Sequence, residues 1–162
     1  MAQYDLTKGT FGFKDVLAEQ CLTLKPRRIL EWGPGYSSQL MHECCPKAEI
    51  ISIEHDEKWY NKAIEKHGKY ATIYLVPLNG KPSKYSTWPL LQKFDLFDLI
   101  FIDGRQRLSC LIVASQILNS SGRIILHDAK RLEYKPAIDV LKQLGFFVEG
   151  ERTKVITRNR LN

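Results

Sequence analysis

The chain has 162 residues, and 44% of them are hydrophobic, which is enough for one domain (residues 1–162) with a single buried core. No stretch approaches the roughly 18 consecutive apolar residues of a membrane span, and the first ten residues lack the apolar block of a secretory signal, so we expect a cytoplasmic protein that makes no membrane contact. The net charge is +6, but lysine and arginine are spread over the whole chain, which argues against nucleic acid as a partner.

Helical and strand periods alternate along the chain. Apolar residues at helical spacing predict helices at residues 16–24, 36–45, 108–118 and 136–144, and a further helix that Asp56 caps and Gly68 ends. Short apolar runs predict strands at residues 29–32, 49–54, 72–76, 96–102 and 123–126. A hairpin of strands 146–148 and 155–157 closes the chain. The weakly periodic residues 78–93 are predicted as a surface loop, with a lid over the acceptor as the functional alternative.

This alternation predicts an α/β fold: a doubly wound, mostly parallel Rossmann-like sheet of about seven strands, with helices on both faces and the last hairpin antiparallel. Ligands of such sheets bind beyond the carboxyl ends of the strands. The polar residues to examine are therefore those that directly follow the apolar runs, at residues 31–38, 54–56, 103–105 and 127–128.

Two glycines, Gly33 and Gly35, follow the first predicted strand. A dinucleotide fingerprint needs a third glycine at the position of Ser38, so that fingerprint is incomplete. The glycines could admit a nucleotide or a nucleoside to the backbone, or could serve only the conformation of the turn.

Acidic residues end three of the predicted strands: Glu31, Glu54 and Asp103. A pyrophosphate disfavours nearby carboxylates, whereas a sulfonium cofactor carries positive charge on its sulfur and on its ammonium group. Glu54 also lies where a carboxylate accepts hydrogen bonds from both ribose hydroxyls, a role that suits either kind of cofactor.

The pattern Glu31-x-Gly33-x-Gly35, the acid Glu54 and the segment 94–104 that ends in Asp103-Gly104 together resemble Rossmann-like (class I) S-adenosylmethionine-dependent methyltransferases, over residues 27–157. The resemblance implies that Glu54 holds the ribose, that His55 lies beside the adenine, and that Glu31 and Asp103 belong to the cofactor site. It also implies that the loop 33–38 wraps the methionine part of S-adenosyl-L-methionine, through Gly33, Pro34, Gly35, Ser37 and Ser38.

Residues 102–134 are similar to small bacterial methyltransferase-like proteins and, more faintly, to plant glucuronoxylan O-methyltransferases. This similarity implies O-methylation of a small hydroxyl-bearing acceptor of acidic or sugar-like character. The chain lacks the Asp/Asn-Pro-Pro-Tyr/Phe motif of amino-group methyltransferases and the Pro-Cys nucleophile of cytosine C5 enzymes. Two other functions stay open at this point: an NAD-type dinucleotide-binding oxidoreductase, and a non-catalytic nucleoside-binding or interaction domain.

Methyl transfer to a hydroxyl needs a base, and the sequence offers Asp103 and His127. Alternatively, Asp103 and Asp128 could hold a divalent cation that acidifies the acceptor hydroxyl. Each residue also has a structural alternative, because Asp103 could cap a helix and His127 could bond only to backbone. Arginines 105, 107 and 131 could bind an acidic acceptor or be merely solvated.

Two further predictions concern aromatic residues and assembly. Trp59 and Tyr60 fall at core helical spacing and are predicted to pack inside the protein and not around the cofactor. Assembly into a homo-oligomer is left open by the sequence.

Overall fold

The computed structural model describes residues 12–78 and 84–158. These residues form a seven-stranded sheet and six α-helices, in the chain order α1 Phe13–Leu24, β1 Arg28–Trp32, α2 Tyr36–Cys44, β2 Glu49–Glu54, α3 Glu57–His67, β3 Thr72–Leu75, α4 Lys84–Leu91, β4 Phe97–Ile102, α5 Arg107–Ile117, β5 Leu118–Leu126, α6 Lys135–Gln143, β6 Phe146–Glu149 and β7 Lys154–Arg158. A short 3-10 turn, Leu132–Tyr134, precedes α6.

The strand order in the sheet is β3-β2-β1-β4-β5-β7-β6. The first five strands run parallel, and β7 pairs antiparallel with both β5 and β6. The predicted doubly wound sheet with a final antiparallel hairpin is confirmed. Since the strand order reverses between β1 and β4, the carboxyl ends of these two strands form the topological switch point where ligands of such sheets bind.

Two apolar cores cover the two faces of the sheet because neighbouring strand residues point to opposite sides. Ile29 of β1 packs with α1 and α2, whereas Leu30 and Trp32 pack with Tyr85 of α4 and with α5. The same alternation places Glu31 on the α1 and α2 side, which decides its partners.

The prediction of a surface loop at residues 78–93 is wrong for residues 84–91, which form α4; residues 79–83 lie outside the described residues. The helical signal was weak because α4 contains Pro89. Proline has no N–H to donate to the carbonyl four residues earlier, which is that of Tyr85. This carbonyl instead accepts a hydrogen bond from the indole Nε1 of Trp32 at 3.2 Å, so α4 is fixed to the end of β1.

The prediction that Trp59 packs in the core is also wrong, since its side chain is 61% exposed. Only Ala63 of α3 is buried, because this helix covers the sheet edge at β2 and β3 with one narrow stripe.

None of the helices in residues 12–78 and 84–158 has the length and apolar character needed to cross a bilayer.

Candidate functional site

A cavity of about 550 Å³ opens at the carboxyl ends of β1, β2 and β4. Backbone hydrogen bonds hold the strand ends together one residue beyond the strands: Gly33 N donates to Ile53 O at 3.0 Å and Asp103 N donates to Trp32 O at 3.0 Å. The cavity therefore lies at the switch point, and these hydrogen bonds join the strand ends that form its floor.

Gly33 and Gly104 bring two strand ends into direct contact at this floor. Gly33 has a φ of 90°, and a Cβ on it would lie 2.7 Å from Gly104 N. A Cβ on Gly104 would in turn lie 2.1 Å from the hydroxyl of Tyr85. Gly33 is thus required by the protein's own packing, whereas a Cβ on Gly35 would meet nothing within 4 Å.

Glu54 is buried at the cavity wall, and its two carboxylate oxygens have different surroundings. Oε1 accepts hydrogen bonds from the backbone N–H groups of His55 at 2.7 Å and Asp56 at 2.9 Å, and His55 Nδ1 lies 2.7 Å away. Among the described residues Oε2 has no hydrogen-bond donor. One oxygen fixes the side chain, and the other can accept bonds from a ligand.

Trp59 and His55 line the same end of the cavity. Trp59 lies in the first turn of α3, which Asp56 caps by accepting a hydrogen bond from Trp59 N at 2.9 Å. A large exposed indole beside a cavity is a surface on which a flat ring can stack. Helical spacing alone could not reveal this, because it gives no information on where a helix extends past the edge of its sheet.

Glu31 does not line the cavity, since it is completely buried beneath it. It accepts hydrogen bonds from the hydroxyls of Ser37, of Ser38 at 2.6 Å and of Ser52 at 2.6 Å. Burial raises the pKa of Glu31 to about 7, although these three hydroxyls oppose the shift. Ser37 and Ser38, predicted to contact the cofactor, point to this carboxyl, and the part played by Ser52 was missed from the sequence.

The three predicted acids still gather on adjacent strands. Glu54 and Asp103 line the cavity. Glu31 lies below the cavity, close enough to Asp103 that the negative charge of Asp103 raises the pKa of Glu31 further. Pro34 also lines the cavity, whereas Gly35 does not.

Asp103, His127 and Asp128 form a cluster at the ends of β4 and β5, with one side-chain donor atom of each within 4.8 Å of the others. His127 is buried behind the cavity, with Nδ1 3.0 Å from Thr153 Oγ1, Nε2 3.5 Å from Asp128 Oδ1, and the Phe13 ring packed edge-on. Burial lowers the pKa of His127 and raises that of Asp103, although Arg107 and His127 oppose the latter shift. Of the two predicted bases, Asp103 is the one that lines the cavity.

Arg107, in the first turn of α5, binds the ends of β4 and β5 together. Its Nε donates to Gly104 O at 3.0 Å, its Nη1 to His127 O at 2.6 Å and its Nη2 to Asp103 O at 2.8 Å. Nη2 also forms an ion pair with Asp103 Oδ1 at 2.8 Å, and the side chain is 10% exposed. The sequence did not distinguish this arginine from its exposed neighbours, because three of its four acceptors are backbone carbonyls.

Two carboxylates and an imidazole suit a transition-metal ion by ligand type. However, both carboxylates already pair with guanidinium groups, Asp103 with Arg107 and Asp128 with Arg152 at 3.0 Å. Arg107 and Arg131 also each lie 3.9 Å from Asp128 Oδ2. The cluster as arranged does not fit a divalent cation, which would have to displace the largely buried guanidinium of Arg107 from Asp103.

Positive side chains line the far end of the cavity. Arg105 is exposed, and its guanidinium group has no hydrogen-bond or ion-pair partner among the described residues, whereas its backbone carbonyl accepts from Cys110 Sγ at 3.4 Å. Arg131 is 55% exposed, and its contacts with Asp128 and Glu133, at 3.9 and 4.0 Å, are longer than hydrogen bonds. The acidic end of the cavity lies at Glu54, and its basic end at Arg105 and Arg131 also includes the carboxylate of Glu133.

No family model and no curated protein matches the chain. Solved structures do match it closely in fold. An SAH-bound methyltransferase of Podospora anserina is 19% identical with a TM-score of 0.69, over 90% of this chain and 77% of that one. An O-methyltransferase of Bacillus cereus in complex with SAH is 15% identical with a TM-score of 0.65, over 88% and 78%. A precorrin-6y C5,15-methyltransferase of Geobacter metallireducens is 18% identical with a TM-score of 0.66, over 96% and 90%.

The chain has the fold of S-adenosylmethionine-dependent methyltransferases. This confirms the fold that the resemblance implied. Since a precorrin C-methyltransferase and an O-methyltransferase match about equally well, the fold does not decide which atom is methylated. The fainter resemblance to glucuronoxylan O-methyltransferases stays a prediction.

Proposed function

We propose that the protein is an S-adenosyl-L-methionine-dependent methyltransferase that methylates the hydroxyl of a small acceptor. The observation that carries this proposal is the pair of carboxylates, Glu54 and Asp103, that line one cavity at the switch point. Glu54 suits the ribose of either kind of cofactor, whereas the charge of Asp103 attracts a sulfonium cofactor and repels a dinucleotide pyrophosphate. The position of the missing third glycine, Ser38, is buried against Glu31, which further disfavours the NAD-type alternative.

The cofactor lies in this proposal with its ribose hydroxyls on Glu54 Oε2 and its adenine beside His55 and Trp59. Its methionine part follows the loop from Gly33, and Asp103 faces its positive charge. Glu31, Ser37 and Ser38 support the loop from beneath and do not touch the cofactor. When bound, S-adenosyl-L-methionine supplies an electrophilic methyl group.

The acceptor occupies the basic end of the cavity, beside Asp103. Its hydroxyl oxygen bonds to the methyl carbon, the carbon–sulfur bond breaks with its electron pair left on sulfur, and the hydroxyl proton passes to the carboxylate of Asp103. Arg105 and Arg131 bind a carboxylate or another anionic group of the acceptor. His127 keeps the end of β5 in place behind this site.

Transfer of a radiolabelled methyl group to matched acceptors, small hydroxy acids and their neutral hydroxyl analogues, tests the proposal. Label is expected in the hydroxy acids. The Asp103→Asn variant should lose about 10² to 10⁴ in turnover, the usual contribution of a base. Asp139→Asn, on the exposed face of α6, is the matched control and should keep wild-type turnover.

Label in no hydroxyl acceptor, with SAH binding retained, would favour the non-catalytic alternative. Full turnover in Asp103→Asn with loss in His127→Asn would transfer the role of base to His127.

A further inference from the structure

Arg107 differs from every other arginine around the cavity in how completely its guanidinium group is held. Four oxygen atoms lie within 3.0 Å of it: the carbonyls of Gly104, His127 and Asp103, and Asp103 Oδ1. Arg131 and Arg152, at 55% and 64% exposed, are screened by solvent, whereas Arg107 is 10% exposed. The positive charge at the cluster therefore comes mainly from Arg107.

The position of this charge coincides with that of the Asp103, His127 and Asp128 cluster. Nη2 is 2.8 Å from Asp103 Oδ1 and Nη1 is 3.9 Å from Asp128 Oδ2, so the guanidinium faces both carboxylates. A divalent ion bound to the same carboxylates would lie close to a largely buried cation that cannot lose its charge. Repulsion between like charges is screened less at this partly buried site than in bulk water.

We propose that Arg107 is the built-in cation of this methyltransferase, in the place where the sequence suggested a divalent metal. The guanidinium lines the cavity, holds Asp103 towards the acceptor, and remains positively charged when Asp103 takes up the hydroxyl proton. Its charge then stabilises the negative charge that develops on the acceptor oxygen while that oxygen bonds to the methyl carbon. Methyl transfer by this protein consequently needs no divalent cation. The inference rests on the proposed function for the reaction, but its statement about metal binding does not.

Two measurements on the wild-type protein test the inference directly. Calorimetric titration with Mn²⁺ should show no binding with a Kd below about 1 mM. Turnover should be unchanged after treatment with a chelator. Micromolar binding of Mn²⁺, or turnover that is lost with chelator and restored by Mn²⁺, would overturn the inference.

Variants of Arg107 make the test sharper. Arg107→Ala should lose about 10² to 10³ in turnover, should recover part of it when millimolar guanidinium is added, and should bind Mn²⁺ more tightly than wild type because the competing charge is gone. Arg107→Lys keeps the positive charge but not the planar guanidinium group with its several donors, and it should retain more turnover than Arg107→Ala. Arg27→Gln, at the opposite end of the sheet, is the control and should match wild type.

SAH binding by each variant shows whether it is folded and keeps the cofactor site. If Arg107→Ala does not fold, the wild-type titration and chelator experiments still decide. Failure of the wild type to bind SAH would count against the proposed function and leave the metal measurement valid. Loss of turnover in Arg107→Ala without rescue by guanidinium and without a gain in Mn²⁺ affinity would reduce Arg107 to a purely structural residue.

Discussion

Glu31 shows how burial can change the role of a residue whose type alone suggests ligand binding. It ends up beneath the cavity because strand alternation turns it towards α2, where Ser37 and Ser38 donate to it. Burial then raises its pKa from the ordinary 4.5 to about 7. The sequence shows the acid at the end of β1, but the position of its carboxyl beneath the cavity depends on side-chain direction and on Ser52 of the neighbouring strand.

The raised pKa of Glu31 predicts a specific pH dependence of stability. Because the folded state favours the protonated carboxyl, the stabilisation is fully present below pH 4.5 and is lost as the pH rises through about 7. The change from 4.5 to about 7 corresponds to about 3 kcal/mol. Glu31→Gln cannot titrate, so it should become more stable relative to wild type by up to this amount as the pH rises, as measured by urea unfolding between pH 4.5 and 8.

Glu43→Gln, at an exposed position near the end of α2, is the control and should show no such trend. A constant stability difference between Glu31→Gln and wild type across this pH range would contradict the raised pKa.

The turn between β1 and α2 contains two glycines with different physical roles. Gly33 combines a φ of 90° with close approach to Gly104, whereas Gly35 has extended backbone and open space around it. We expect Gly33→Ala to lower the free energy of unfolding by about 2 to 4 kcal/mol through strain and steric clash. Gly35→Ala should stay within about 1 kcal/mol of wild type.

The same pair differs in its relation to the cavity. Gly33 lines the cavity and Gly35 does not, so Gly33→Ala should weaken SAH binding and Gly35→Ala should leave it close to that of wild type. Equal destabilisation by the two alanines would show that the difference between their surroundings does not matter for the turn.

The contact between α4 and β1 depends on a missing donor. Because Pro89 cannot bond to the carbonyl of Tyr85, this carbonyl accepts from Trp32 Nε1. We expect Trp32→Phe to cost about 1 to 3 kcal/mol, part of it from the unpaired buried carbonyl. In a Pro89→Ala background the new amide supplies a donor, so the same substitution should cost less, by about 1 kcal/mol.

A double-mutant cycle by denaturant unfolding measures this coupling. The Thr87→Ala background, on the same helix but with its backbone N–H intact, is the control and should leave the cost of Trp32→Phe unchanged. Additive effects of Trp32→Phe and Pro89→Ala would contradict the proposed exchange of donors.

In the whole molecule, the sheet could be predicted because most of its strands contain a short apolar run and alternate with helices. The polar start of β5 hid its first residues, so that strand begins at Leu118 and not at residue 123 as predicted. The strand order could not be predicted, because alternation alone does not say which strands are neighbours. Helix α4 was missed since Pro89 interrupts the pattern, and Trp59 was misplaced since helical spacing is the same over a sheet edge as over its centre. The sequence placed Glu54 and Asp103 at strand ends, and both line the cavity; that they contact a cofactor stays a prediction. The contacts of Arg107 could not be predicted, because most of its acceptors are backbone carbonyls, which every residue has.

Calorimetric titration of the whole protein with SAH and, separately, with NAD, repeated on Glu54→Gln, tests whether the cavity holds S-adenosyl-L-methionine. We expect micromolar SAH affinity, no NAD binding, and a loss of about tenfold or more in Glu54→Gln, because the amide replaces an acceptor of the ribose hydroxyls. NAD binding without SAH binding, or SAH affinity that does not depend on Glu54, would contradict the proposed cofactor.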